Sequence, residues 1–140
     1  MEIWQLTPWD ELDMVIRLLI SALVGGLIGY ERERAEKPAG LRTIVLVSVG
    51  ATLFTLASIN GFGWSSDPSR VAAGIVVGIG FLGAGTILRG EGGVVGLTTA
   101  ATIWSVAAIG LALGAGLYLM AVIAAIIVLG VLRLPAKHVS

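Results

Sequence analysis

Apolar residues run through the chain in five long stretches, separated by short segments rich in glycine, proline and charge. The stretches cover about residues 12–30, 41–59, 71–88, 97–113 and 117–134. Each one reaches or approaches the roughly 20 residues that an α-helix needs to cross the hydrocarbon layer of a membrane. The pattern therefore predicts a single all-α integral membrane domain over residues 1–140, built as a bundle of five transmembrane helices.

The composition agrees with this prediction, because 56% of the residues are hydrophobic and only 13% are charged, with a mean hydropathy of +0.96. A soluble domain carries about 25% charged residues. Strands that alternate apolar and polar positions are missing, which disfavours a barrel. The first ten residues lack the positive n-region of a secretory signal, so we expect the first apolar stretch to remain in the mature protein.

The sequence lacks the residues that thiolate sites and histidine-based metal or catalytic sites require. The chain has no cysteine, and its one histidine, His138, lies in the C-terminal tail. Thiolate sites are therefore excluded, and we expect no catalytic residues, no cofactor and no metal site. The nine basic and nine acidic residues cancel, which gives no reason to expect nucleic-acid binding. The sequence predicts a protein that is not an enzyme.

Basic residues near the ends of the stretches are distributed unequally. Seven of them flank one side, Arg32, Arg34, Lys37, Arg42, Arg89, Arg133 and Lys137, and only Arg17 and Arg70 flank the other. Because Lys and Arg accumulate in cytoplasmic loops, this asymmetry predicts an N-terminus outside and a C-terminus in the cytoplasm. Trp4, Trp9 and Trp64 then fall on the outer side, where aromatic rings favour the headgroup layer.

The segment "GIGFLG" within the third stretch matches G-x-G-x-x-G, the phosphate-binding fingerprint of dinucleotide folds. That motif needs a preceding strand and an acidic residue about 20 positions on, and this segment has neither. Glycine in a membrane helix instead lets neighbouring backbones approach closely. The predicted packing glycines are Gly25, Gly29, Gly74, Gly78, Gly80, Gly83, Gly85, Gly110 and Gly114. We expect spans one, three and four to pack together through them.

Hydroxyl side chains form two helical rows, Ser48, Thr52, Thr55 and Ser58 in the second stretch and Thr98, Thr102 and Ser105 in the fourth. Such groups bond back to their own helix or link neighbouring helices. A permeation path lined by these hydroxyls is the alternative interpretation. In the first stretch, Asp13 and Arg17 stand four residues apart, the spacing of a structural ion pair on one helix face.

Charged residues at the loops are the remaining candidates. Asp67 and Pro68 have the order of a helix start, with Asp67 as the cap, and Arg70 could pair with Asp13 or with Asp67. Glu31 closes a helix whose C-terminal end favours cations, so we expect a base to compensate it, either Arg42 or Arg89. The other loop charges, among them Arg32, Arg34 and Lys37, are interpreted as a solvated, lipid-facing surface.

The segments "GGLIGYERER", "KPAGLRT", "DPSRVAAG", "GIGFLGAGTILR" and "GLTTAATIWSVAAIGLALGAG" follow one another between about residues 17 and 116. In this order they resemble the membrane domain of the MgtC/SapB family. The resemblance singles out Glu31, Arg32, Arg42, Thr43, Asp67, Arg70, Arg89 and Thr98. Many members add a cytoplasmic C-terminal domain similar to the ACT fold, whereas this chain stops at Ser140. Ile44, Gly74 and Val95 stand where the family often has polar or basic residues, which weakens the case for a polar path.

The resemblance implies a bacterial inner-membrane regulatory protein associated with growth at low magnesium and survival inside host phagocytes. It further implies action by modulation of the F-type ATP synthase rather than by carrying magnesium. The expected partners are membrane lipid and such a membrane complex, with a homodimer as the default assembly. A small ion or solute transporter or channel is the alternative. It needs polar groups or a broken helix near the midplane, and only the glycine-rich third stretch offers a place for a break.

Overall fold

The computed structural model describes residues 6–63 and 65–136. In chain order its elements are α1 (Pro8–Arg34), α2 (Leu41–Asn60), α3 (Ser69–Ala84), β1 (Leu88–Gly90), β2 (Gly93–Val95), α4 (Leu97–Gly114) and α5 (Tyr118–Leu132). The all-helical class with five helices is confirmed. Expectations that rest on Trp4, Trp64, Lys137 and His138 lie outside the described residues.

Three of the helices, α1, α2 and α4, have the length and the apolar composition to cross a membrane. The helices α3 and α5 are apolar but shorter, with 16 and 15 residues. At about 1.5 Å per residue they extend roughly 24 and 22 Å, less than the hydrocarbon thickness of about 30 Å. Three helices thus suit a membrane protein, while five complete crossings and the direction of the termini stay predictions.

The expected third span, residues 71–88, is too long. The helix α3 ends at Ala84, where the hydroxyl of Thr86 donates to the carbonyl of Gly83 at 2.7 Å. The chain then enters an antiparallel hairpin in which β1 pairs with β2. Gly93 and Gly96 have φ angles of 107° and 92°, a left-handed conformation that glycine adopts without steric cost. Glycine-dependent turns thus replace the last turn of the predicted helix.

The helix α2 lies at the centre of the bundle, between α1 and α4. On the α1 side, a Cβ atom at Gly29 would lie 2.9 Å from the Cα of Leu41. On the α4 side, one at Gly110 would lie 2.9 Å from the Cβ of Ala51. Gly25 and Gly114 make similarly close approaches to α2. The expected packing of spans one, three and four against one another is therefore wrong for α1 and α4. Their glycines pack against α2 instead.

Hydroxyl groups of α2 join these contacts. Ser48 donates to the carbonyl of Ser21 in α1 at 2.8 Å, and Thr52 donates to the carbonyl of Gly110 in α4 at 2.9 Å. Thr55 bonds back to its own helix at the carbonyl of Ala51. The three α2 side chains are buried. They act as the interhelical and intrahelical links that their spacing indicated.

The helix α3 packs mainly against α4 and touches α2 only lightly. Gly83 is buried, and a Cβ atom there would lie 3.6 Å from the carbonyl oxygen of Ala100. No atom lies within 4 Å of the Cβ positions at Gly74, Gly78 and Gly80, contrary to their expected role in packing. Gly85 is exposed and caps the helix. The small face of α3 borders open space because α3 stands apart from α2.

Two neighbouring glycines of α1 test this packing. In Gly29→Ala the added methyl group meets the backbone of Leu41, so we expect a loss of about 1–3 kcal/mol in unfolding free energy. Gly26 has no atom within 4 Å of its Cβ position. Gly26→Ala should leave the protein unchanged or stabilise it by about 0.5–1 kcal/mol, since alanine favours the helix. Thermal unfolding in detergent measures both, and equal melting temperatures would contradict the close approach.

Candidate functional site

One end of the bundle, the basic end, is formed by the α1–α2 loop and the β1–β2 hairpin. Here α1 continues to Arg34, a full turn beyond the predicted limit at residue 30. Arg32 therefore falls in helical register with Ser21, Gly25 and Ile28, the face that packs into the bundle. Its side chain is 3% exposed. The interpretation of Arg32 as a solvated loop residue is wrong, because the helix carries it inward.

The buried guanidinium of Arg32 has two neighbours. Its Nη2 donates to Oγ1 of Thr99 in α4 at 3.3 Å, and its Nη1 lies 3.8 Å from Oε2 of Glu31. Among the described residues, Arg32 Nε and Glu31 Oε2 are buried without a hydrogen-bond partner. A buried charge is costly unless it is paired, so each of these side chains depends on the other. Glu31, Arg32 and Thr99 together form what we call the inner cluster.

The base beside Glu31 is thus Arg32, and the expected pairing with Arg42 or Arg89 is not found in the described structure. Arg42 and Thr43 are exposed in the first turn of α2, and Arg89 is exposed in β1. Of the eight residues singled out by the family resemblance, only Glu31 and Arg32 meet at this end.

Thr99 is not among the candidate site residues predicted from the sequence, whereas its neighbour Thr98 is. Thr98 is exposed, and its carbonyl accepts a hydrogen bond from Thr102. Thr99 stands three residues before Thr102 and seven before Val106, both buried, which is the spacing of one helix face. The apolar periodicity of α4 could have identified Thr99, whereas hydroxyl spacing alone favoured Thr98.

The opposite end of the bundle, the tyrosine end, is formed by the start of α1 and the α4–α5 turn. Oδ2 of Asp13 lies 2.5 Å from Nη2 of Arg17, so the predicted ion pair is confirmed. Nη1 of Arg17 also donates to the carbonyl of Gly114 at 2.7 Å, and its Nε donates to the Tyr118 hydroxyl at 3.2 Å. That hydroxyl donates to Oδ1 of Asp13. Arg17 therefore joins α1 to the end of α4 and the start of α5.

Asp67 and Arg70 lie at the same end, before and within the first turn of α3. The carboxylate of Asp67 accepts hydrogen bonds from the backbone N–H and the hydroxyl of Ser69, at 2.9 and 2.7 Å. These bonds hold the pKa of Asp67 below its usual range. Pro68 occupies the N-cap position, one residue later than expected. Arg70 is exposed, and the Asp13 carboxylate is already bonded to Arg17 and Tyr118.

The chemistry available at the two ends is pairing and positioning. Among residues 6–63 and 65–136, no three His, Asp or Glu side chains are grouped closely enough to hold a metal ion. The inner cluster and the tyrosine end each connect α1 to α4, at opposite ends of both helices. Exposed cations at the basic end, Arg34, Lys37, Arg42 and Arg89, remain available to lipid or to another protein.

These features define a small helical protein with apolar helices long enough to cross a membrane, whose described charged side chains lie towards the two ends of the bundle. The chain belongs to the MgtC family, whose family model matches residues 18–139. It is 49% identical over 124 residues to the protein MgtC of Brucella abortus, covering 88% of this chain and 52% of that protein. It is 44% identical over 128 residues to the putative magnesium transporter YhiD of Escherichia coli K12, covering 86% and 60%.

A third relative is the protein SapB of Bacillus subtilis, 42% identical over 123 residues, covering 82% of this chain and 51% of SapB. The chain thus spans about half to three fifths of the length of these relatives. No solved structure matches it. Of these three names, one is that of a putative magnesium transporter, and none is that of an enzyme.

The tyrosine end generates one prediction. Tyr118→Phe removes the hydroxyl that bonds both Asp13 and Arg17, and we expect a loss of about 1–2 kcal/mol in unfolding free energy. Tyr30→Phe is the matched control, because Tyr30 is exposed on α1. Thermal unfolding in detergent should show a lower melting temperature for the first variant alone. Equal stability of both variants would mean that the hydroxyl contributes nothing.

The inner cluster generates another. Thr99→Val keeps the shape of the side chain but removes the hydroxyl that bonds Arg32, leaving a buried guanidinium with one neighbour. We expect a loss of about 1–3 kcal/mol. Thr98→Val, one residue away on the exposed face, should change stability by less than about 0.5 kcal/mol. The comparison is again a pair of melting curves, and a Thr98 variant as unstable as the Thr99 variant would contradict the assignment.

Proposed function

We propose that this chain is the membrane domain of a bacterial inner-membrane regulatory protein that modulates the F-type ATP synthase during adaptation to low magnesium. In this proposal it binds another membrane complex and carries no ion itself. Survival of the bacterium inside host cells is the physiological setting that the family resemblance implies. The basic end faces the cytoplasm, as the asymmetry of basic residues predicts.

The observation that carries the proposal is that the hydroxyl groups between α1, α2 and α4 are buried and already hydrogen-bonded to backbone carbonyls. The buried hydroxyls of Ser48, Thr52 and Thr55 donate to backbone carbonyls at 2.8–2.9 Å. A transport path replaces the hydration shell of an ion with oxygen ligands or water. The three hydroxyls are buried where the helix backbones approach closely, which leaves no space beside them for an ion or for water. The helices α1, α2 and α4 are also continuous, whereas transporter sites often lie at interrupted helices.

A regulatory role needs a surface rather than a path, and the basic end offers one. Its exposed cations lie on the loop after α1, the first turn of α2 and the hairpin after α3. The inner cluster beneath them ties the last turn of α1 to the first turn of α4. The relative height of α1 and α4 at this surface is therefore held by the hydrogen bond from Arg32 to Thr99, and the carboxylate of Glu31 lies beside Arg32 on the same helix. Such rigidity supports recognition by a partner protein.

A small transporter is the second candidate, and the name of the Escherichia coli relative, a putative magnesium transporter, favours it. The purified chain can decide between the two when it is reconstituted into liposomes that enclose a magnesium-sensitive dye. With an inward magnesium gradient and a negative interior potential, we expect uptake equal to that of empty liposomes. Uptake above that level would overturn the regulatory proposal in favour of transport.

The partner is tested separately. Tagged protein expressed at native level should retain ATP synthase subunits on purification, and added protein should reduce ATP-driven proton pumping in inverted vesicles. Glu31→Gln should weaken both effects, because it removes the negative charge beside the buried Arg32, whereas Glu36→Gln alters only an exposed loop residue. Protein abundance is measured in parallel. Wild-type behaviour of the Glu31 variant would exclude the inner cluster, and failure to retain the synthase would exclude this partner.

A further inference from the structure

A groove with a volume of about 760 Å³ runs between α2 and α3 and opens at the surface of the bundle. Thr43 is the one polar side chain among its lining residues, and it lies at the basic end. The remaining lining is aliphatic, aromatic or glycine. The groove exists because α3 packs on α4 and stands away from α2.

Three glycines, Gly50, Gly74 and Gly78, line the groove, and none has an atom within 4 Å of its Cβ position. Alanine at each position would fit and would favour the helix by about 0.5–1 kcal/mol. These glycines therefore do not serve helix packing within this chain. These glycines make the groove deeper, because a side chain at any of the three positions would extend into it.

The dimensions indicate the occupant. The wall of the groove on α2 extends from Thr43 to Phe54, a length of about 16 Å along the helix axis at 1.5 Å per residue. One leaflet contributes about 15 Å, half of the hydrocarbon thickness of about 30 Å. A partner transmembrane helix would instead need a contact surface along the whole thickness. The groove thus matches the acyl chains of lipid in the leaflet at the basic end.

The mouth of the groove carries positive charge. Arg42 is exposed and stands one helical turn before Leu46, a lining residue, so it flanks the groove on the same side of α2. The first turn of α2 contains no acidic residue, and Gly40 provides no side-chain cap. The carboxylate of Glu33 lies near Gly40, before the start of α2. A phosphate beside Thr43 would therefore meet Arg42 in a helix turn that carries no carboxylate.

We propose that the groove between α2 and α3 binds an anionic diacyl phospholipid, with its acyl chains against Gly50, Gly74 and Gly78 and its phosphate at Arg42 and Thr43. The site is a permanent lipid-binding site of the bundle and does not depend on the regulatory role proposed above. It also accounts for the separation of α3 from α2, because the lipid fills the space that would otherwise be a void.

Native mass spectrometry of the full chain in detergent tests this site, with dioleoyl phosphatidylglycerol and dioleoyl phosphatidylcholine as probes. The two lipids have the same acyl chains, but phosphatidylcholine carries a compensating cation. We expect phosphatidylglycerol to bind about fivefold more tightly, the contribution of one arginine at a membrane surface. Arg42→Gln should abolish that preference, whereas Arg34→Gln, another exposed cation at the basic end, should keep it.

The groove itself is tested by Gly78→Leu, which should weaken binding of both lipids about tenfold by displacing acyl-chain contacts. Gly130→Leu is the matched control, since Gly130 on α5 also has open space at its Cβ position and should leave binding unchanged. Gly50→Leu blocks the opposite wall and replaces Gly78→Leu if that variant fails to fold. Lipid binding equal to wild type in the folded variants would overturn the proposal. If Gly78→Leu or Gly50→Leu abolished a dimer of the chain and left lipid binding unchanged, the groove would bind a second copy instead, which would also overturn it.

Discussion

Close approach of α1 and α4 to α2 at four glycines is the contact on which the rest of the bundle depends. In lipid, apolar side chains gain nothing by leaving solvent for a neighbouring helix, so association relies on van der Waals packing and interhelical hydrogen bonds. Gly25, Gly29, Gly110 and Gly114 permit both. The backbones come near enough for hydroxyls of α2 to reach carbonyls of both neighbours. A central helix with glycine contacts on two sides is the result.

Charges are placed where they reinforce this arrangement. Arg17 binds the end of α4 and the start of α5, and Arg32 binds the first turn of α4. Both arginines belong to α1, Arg17 in its first half and Arg32 in its last turn, so α1 and α4 are held at a fixed relative height. Each arginine has an acidic neighbour on the same helix, which lowers the cost of removing it from water. The interior between the two ends is left to hydroxyls, glycines and aliphatic side chains.

The helix α3 is placed differently. It packs mainly against α4, where Gly83 makes its approach, and it touches α2 only lightly, so one face of α2 stays uncovered. Gly74 and Gly78 of α3 face a groove instead of a helix. The bundle thus consists of a tightly packed part, suited to holding a fixed surface at the basic end, and an open apolar side, suited to lipid. Neither part resembles an aqueous path.

The sequence by itself determined the helical class, the limits of α2 and α4, the Asp13–Arg17 pair and the family, because hydrophobic runs, i,i+4 spacings and ordered motifs are local properties of the chain. Only the tertiary structure decided which helix each glycine contacts and which base accompanies Glu31. Those outcomes depend on contacts between residues far apart in sequence, such as Arg32 with Thr99 and Arg17 with Tyr118. A row of glycines marks a helix face that another helix can approach closely. Whether a helix or an open groove lies against that face depends on how all five helices pack together.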